Sequence, residues 1–316
     1  MNNLDVIALG GNAILPVGKS GTIGEQFAIT RVTMRQIANL VAQGRSVVLT
    51  HGNGPIVGNI VLRNEAMRDT IPPMPLGICV ADSQGGIGYM IQQVLRNALA
   101  QEGIDRDVIT VVTQVRISPD DPALDHPTKP IGPFYSAEEA RRMENENRWR
   151  MVEDSNRGYR RVVPSPRPLE IIEERVIKQL IDAGAIVITV GGGGIPVVVD
   201  QGRLDGVEAV IDKDFATAVL AKVLAAERMI IVTNVEAVYK DYGTDRAKPI
   251  HTLRLDDAEA MLRGGELPVG SMGSKIEAAV DFVESTGNEA IITHPDSILE
   301  ALEGKAGTRI VKDAPK

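Results

Sequence analysis

Three stretches decide the fold: VIALGGNAI (6–14), VVLTHGNGPIVG (47–58) and VITVGGGGIPVV (187–198). Each is a short β-branched run that passes straight into a cluster of glycines. Further apolar runs lie at Val108–Gln114, Met229–Thr233 and Ala290–Thr293. Continuous runs of this length suit strands buried on both faces. The three quoted stretches contribute the strands Val6–Leu9, Ser46–Thr50 and Ile186–Val190. Between the runs, apolar residues recur at helical spacing over Phe27–Ala42, Ile87–Gln101, Leu169–Ala183, Phe215–Ala226 and Lys275–Glu284. Strands alternating with helices predict an α/β fold with a mostly parallel central sheet between helical layers.

The chain has 316 residues and a net charge of −8, with 42 acidic against 34 basic side chains. That length suits two domains, or one large α/β unit in two lobes. The acidic balance argues against a general nucleic-acid or membrane-surface role, so a positive site must be local. Ile186–Val199 is too short and glycine-rich to cross a bilayer. The opening MNNLDVIALGG has no signal-peptide pattern, and Cys79 is the single cysteine. Together these predict a cytoplasmic protein in a reducing compartment.

One segment breaks the rhythm. Residues 116–168 hold eight of the 18 prolines, and Ala137–Arg161 carries 13 charged residues in 25. A sheet core cannot absorb that composition, which predicts a protruding subdomain over about 117–163, or else a long disordered loop. Phe134, Tyr135, Trp149 and Tyr159 give the segment something to pack and favour order.

In an open parallel sheet, ligands bind beyond the carboxyl ends of the strands. Backbone N–H groups in glycine turns there form anion cradles. Gly10-Gly11-Asn12, Gly52-Asn53-Gly54 and Gly191–Gly194 occupy that place. One such pair also suits a plain tight turn, whereas three favour ligand binding. The dinucleotide fingerprint is absent, and Gly18-Lys19-Ser20 fails as a Walker A loop because Ala13 stands where glycine is required. Neither a Rossmann dehydrogenase nor a P-loop NTPase is indicated.

Lys129 lies between two prolines, Lys213 lies between Asp212 and Asp214, and Lys275 follows Gly270 and Gly273. Lys213 and Lys275 stand at helix starts, where the dipole disfavours a cation. They either face a bound polyanion or point into water. Asp212 or Asp214 reads equally as a helix cap. His51 reads as a base or a turn-stabilising donor. Cys79 lacks an activating pattern and reads as a buried apolar residue.

Taken together, ALGGNAI (8–14), THGNGPIVGN (50–59), CVADSQGGIGY (79–89), HPTKPIGPF (126–134), GYRRVVPSPRP (158–168), GGGGIPVV (191–198), GVEAVIDKDFA (206–216) and GSMGSKIEAA (270–279) resemble the carbamate kinases of the amino acid kinase superfamily. The resemblance runs from about residue 5 to the end. One block varies, with Ser274 where many relatives have proline.

The resemblance implies transfer of a phosphoryl group between ATP and carbamate, giving ADP and carbamoyl phosphate, in arginine metabolism or in the degradation of purines or another ureido compound. It implies an amino-terminal lobe (1–205, with the subdomain) for carbamate and a carboxyl-terminal lobe (206–316) for nucleotide. It implies Mg²⁺ carried on the nucleotide phosphates rather than on a protein metal site, and a homodimer. By the same resemblance, Gly10, Gly11, Asn12, Gly52, Asn53 and Gly54 match the loops around the transferred group. Lys129, Lys213 and Lys275 match lysines on phosphoryl oxygens, and Asp214 the aspartate that organises them. Lys213, Gly270, Ser271, Met272 and Lys275 match nucleotide-side positions. The alternatives are a related kinase acting on another small carboxylate or carbamate-like anion, and a non-catalytic nucleotide-binding sensor or scaffold.

Overall fold

The computed structural model describes residues 3–14, 21–154, 157–264 and 271–313. An eight-stranded sheet runs through it in the order Thr252–Arg254, Thr308–Val311, Glu289–Thr293, Arg228–Val232, Leu4–Leu9, Ser46–His51, Ile186–Ile188, Val108–Thr110. The last six are mutually parallel, and the first two run the other way.

Alternate residues of the first strand feed two cores. Val6 and Ala8 face the helices Lys213–Val223 and Ser271–Thr286. Ile7 and Leu9 face Ile23–Ala42 and Leu76–Gln101, through Met34, Ile37, Ile87 and Ile91. Burial on both faces explains why these strands read as unbroken apolar runs. Asp5 is the polar exception, fully buried at the amino end of the same strand. Arg45 grips it at 2.6 and 2.8 Å, and Arg228 at 2.8 and 3.2 Å. This ion network sits at the end of the sheet opposite the glycine turns.

Several predicted boundaries move. The run Val108–Gln114 does not form one strand: Val108–Thr110 joins the main sheet, and Gln114–Arg116 joins a second sheet with Arg203–Gly206, Ile195–Asp200 and Glu170–Ile171. At the break the Gln84 side-chain amide pairs with the Thr113 backbone, whose carbonyl also accepts the Ile195 amide at 2.9 Å. The Gln84 side chain accepts from the Thr113 amide at 2.8 Å and donates to the Thr113 carbonyl at 3.0 Å, as a strand partner would. The helix read as Leu169–Ala183 starts only at Glu174, because Ile171 is drawn into that second sheet opposite Val115. The helix read from Ile87 starts at Leu76 and runs straight through Gly85 and Gly86. Gly54–Ala66 and Leu255–Gly264 are helices that periodicity did not reveal.

The described residues of the proline- and charge-rich segment form regular structure. Lys129–Tyr135, Tyr159–Val163 and Arg150–Glu153 form an antiparallel sheet, with the helix Ala137–Asn147 beside it. Ile131, Tyr135, Trp149 and Val163 pack with Val57, Val61 and Val80 of the main body. At the centre of this contact two backbones cross. A methyl group added to Gly58 would lie 2.0 Å from the Gly132 Cα, and Gly132 has φ +75°.

Candidate active site

The parallel register aligns the carboxyl ends of three neighbouring strands, since Leu9 stands opposite both His51 and Val232. Gly10 and Gly52 therefore leave the sheet side by side. Gly10 is fixed by packing: its amide donates to the Val232 carbonyl at 2.9 Å, and a Cβ there would meet that oxygen at 2.7 Å. Gly11 opens a short 3-10 turn, Gly11–Ala13. A Cβ on Gly52 would lie 3.2 Å from the Lys213 Cδ and 3.5 Å from the Gly11 amide nitrogen. The two turns and the stem of Lys213 thus share one small volume.

Gly54 begins the helix Gly54–Ala66, whose cap residue is Asn53. The Asn53 side chain leaves the cap and donates to Ser83 Oγ at 2.8 Å, and Ser83 donates to the Val80 carbonyl at 2.6 Å. Amides at a helix start next to a glycine turn make an anion cradle.

The third glycine cluster does a different job. Gly191–Gly193 is buried, and added Cβ atoms at 191 and 192 would strike the His51 ring at 2.4 Å and the Asn53 side chain at 2.2 Å. Those glycines make room for the second turn.

Lys213 and Lys275 do not point into water. Both are buried, and both end on Asp214, itself 2% exposed. One carboxylate oxygen takes Lys213, and the other takes Lys275 at 3.2 Å. Burial pushes the Lys213 ammonium down, while Asp214 pulls it back up and Lys275 pushes it further down. Asp212 is the helix cap: its Oδ1 accepts the Asp214 amide at 2.9 Å. Its Oδ2 takes Lys129 at 3.0 Å. Burial alone would raise the Asp212 carboxyl, but Lys129 and the Asp214 amide hold it well below the usual carboxylate range. All four predicted charged residues therefore converge, with Asp212 beside them.

Met272 is partly buried against the core on the side of Phe282 and Ile276. Gly270 and the side chains of Asn12 and Ser271 lie outside the described residues, as does Gly18-Lys19-Ser20.

Sequence reasoning missed three hydroxyls. Thr50 donates to Thr217 Oγ1 at 2.6 Å, and Thr217 donates to the Lys213 carbonyl at 2.6 Å, which ties strand to helix beneath the lysine. Ser83 orients Asn53. Thr50 and Ser83 lie inside distinctive blocks, but neither has a spacing that signals its partner.

His51 is buried, with its pKa lowered to about 4 by desolvation, against the bond from Nδ1 to the Gly52 carbonyl. It is a neutral turn-stabilising donor. A histidine whose folded pKa lies below 6.5 binds its proton more readily when unfolded. Its contribution is therefore complete above pH 6.5 and lost as pH falls toward 4. We expect acidification across that window to remove up to about 3 kcal/mol of stability. A His51→Asn chain should lack that part of the slope in melting curves between pH 7 and 5. Equal slopes would contradict this.

Two glycine turns and a buried pair of lysines on one aspartate, at the carboxyl ends of a parallel sheet, define a phosphate-handling α/β protein. Comparison with known proteins narrows the class. The amino acid kinase family profile matches residues 3–294. The chain is 46% identical to the carbamate kinase of Pyrococcus furiosus, over 97% of this chain and 98% of that one. It is also 46% identical to the carbamate kinase of Trichomonas vaginalis, over 97% and 98%. Among solved structures, carbamate kinase from Giardia lamblia bound to AMP-PNP superposes with a TM-score of 0.91 at 42% identity, covering 98% of this chain and 99% of that one. The chain belongs to the amino acid kinase family, and its full-length likeness within that family is to carbamate kinases.

Proposed function

We propose that this chain is a carbamate kinase, moving a phosphoryl group between ATP and carbamate to give ADP and carbamoyl phosphate. The observation that carries the reading is the Asp214 carboxylate holding Lys213 and Lys275 beside the Gly10–Gly11 and Gly52–Gly54 turns. The full-length relatives named above supply the acceptor.

Phosphoryl transfer needs alignment and positive charge more than covalent chemistry. A carbamate oxygen attacks the γ-phosphorus of ATP. The bond to the β–γ bridging oxygen breaks, and its electron pair leaves with ADP. Carbamate is already an anion, so no general base is required, and a neutral His51 is consistent with that. Among the described residues, three ammonium groups against two carboxylates leave this cluster net positive for the moving group. Glycine-turn amides hold the carbamoyl end, on the side of residues 1–205. The chain from 206 onward holds the nucleotide.

Asp212 and Asp214 have every carboxylate oxygen occupied by a lysine or an amide. That donor set fits Mg²⁺ carried on nucleotide phosphates rather than in a protein cage. Bound there, the metal supplies further neutralisation of phosphate charge. The test is a panel of acceptors with ATP. Carbamate should be used, and small carboxylates such as acetate should not. Preference for another carboxylate would replace this reading.

The chain also acts as a cytoplasmic homodimer in this proposal. Among the described residues, no helix is long and apolar enough to cross a membrane. On the outer face of Leu76–Gln101, Ile78 and Tyr89 are 48% and 58% exposed, with open space before Gly85 and Gly86 between them. Glycine in an exposed helix costs about 1 kcal/mol relative to alanine, so a close approach by a second copy gives the pair a purpose. Tyr89→Glu should shift sedimentation from dimer to monomer. An unchanged dimer would place the interface elsewhere.

A further inference from the structure

Asp212 joins two parts of the molecule through one carboxylate. Its Oδ1 caps the helix Lys213–Val223, and its Oδ2 meets Lys129, which arrives on the inserted sheet. The root of that sheet is fixed independently of this ion pair. Lys129 stands opposite Val163, and the next carbonyl, that of Pro164, accepts the Val210 amide at 3.0 Å. Backbone alone therefore brings Lys129 within reach of Asp212. What the ion pair adds is direction. Lysine is a point charge on a flexible four-carbon stem. Asp212 is the Lys129 partner among the described residues, and it takes one of three ammonium donors. Lys213 lies close enough to act on Asp212 electrostatically. Without that carboxylate, no described residue would hold the flexible Lys129 stem in one direction.

We propose that Asp212 is a positioning residue: it aims the Lys129 ammonium at the small-anion side of the site while capping the helix that carries Lys213 and Asp214. The substrate in this inference rests on the carbamate kinase reading.

Asp212→Asn separates the two duties, because asparagine caps a helix as well as aspartate but carries no charge. The KM for carbamoyl phosphate should rise roughly ten- to a hundredfold, as when a group is displaced by about an ångström, with the KM for ADP within about twofold of normal. Asp212→Ser, also a cap without charge, should behave alike. Asp212→Glu keeps the charge and should recover most of the loss. On a Lys129→Met background, Asp212→Asn should add little. An unchanged KM for carbamoyl phosphate, or an equal rise for ADP, would overturn the proposal. So would full additivity with Lys129→Met.

If the unaltered chain formed no ATP at all, the functional reading would fail instead. The pairing would then be read from reductive methylation of Lys129 in the full-length protein. Its rate should increase in Asp212→Asn, and an unaltered rate would overturn the pairing itself.

Discussion

Lys213→Ala should lower kcat by roughly 10²–10³, the usual cost of removing one preorganised charge from a developing transition state. The physical reason is placement. Lys213 is buried at a helix start that disfavours a cation, and its stem lies against the Gly52 turn. Charge grows on the transferring group as the transition state forms, so the effect belongs in kcat rather than in KM. Folding should change little, because Asp214 keeps Lys275 as a partner. Asp214→Ala is expected to differ. It leaves two buried ammonium groups without their shared anion, and breaking a buried pair costs about 3–5 kcal/mol. It should lower both kcat and the melting temperature, and the double variant should fall far short of additivity. Near-normal kcat in Lys213→Ala would make the lysine a structural counter-ion only.

Gly58→Ala should give the second large effect. The added methyl would lie 2.0 and 2.3 Å from backbone atoms of Gly132, so no side-chain rotation relieves it. The helix Gly54–Ala66 and the strand Lys129–Tyr135 must separate. Overpacking of this kind costs about 1–3 kcal/mol. Separation would also carry Lys129 away from Asp212, so the KM for carbamoyl phosphate should rise more than that for ADP. Gly24→Ala, which meets open space, is the control and should change neither. A Gly58→Ala chain with normal melting and normal KM would show that the inserted sheet is not seated by this crossing.

Much of the fold is legible in the sequence because both faces of the sheet are buried. Runs such as Val6–Leu9 and Met229–Thr233 carry their strand signal without help from the rest of the chain. The aspartate–lysine cluster was legible in part: a lysine at a helix start conflicts with the dipole and calls for an explanation, while the role of Asp214 came from the resemblance. Non-local substitution was not legible. The Gln84 side chain supplies the acceptor for the Thr113 amide in place of a strand carbonyl, and nothing near residue 113 signals it. The helix Leu76–Gln101 extends well before the periodic stretch from Ile87, and twelve buried side chains hold it together across Gly85-Gly86. Gly191–Gly194 shares its composition with the turns at Gly10 and Gly52, yet His51, Asn53 and Ile211 fill the space where the Cβ atoms of Gly191, Gly192 and Gly193 would be. Composition gives the conformational freedom of a glycine, but only the neighbours show what that freedom accommodates. Lys129 was singled out by its prolines, but its partner Asp212 lies 83 residues away.

The most direct test of the account is ATP formation from ADP and carbamoyl phosphate by the purified chain, followed in time with Mg²⁺ present and absent. The account predicts rapid, stoichiometric ATP with Mg²⁺, little without it, and a loss of roughly 10²–10³ in Lys213→Ala. No ATP from the unaltered chain under either condition would contradict it.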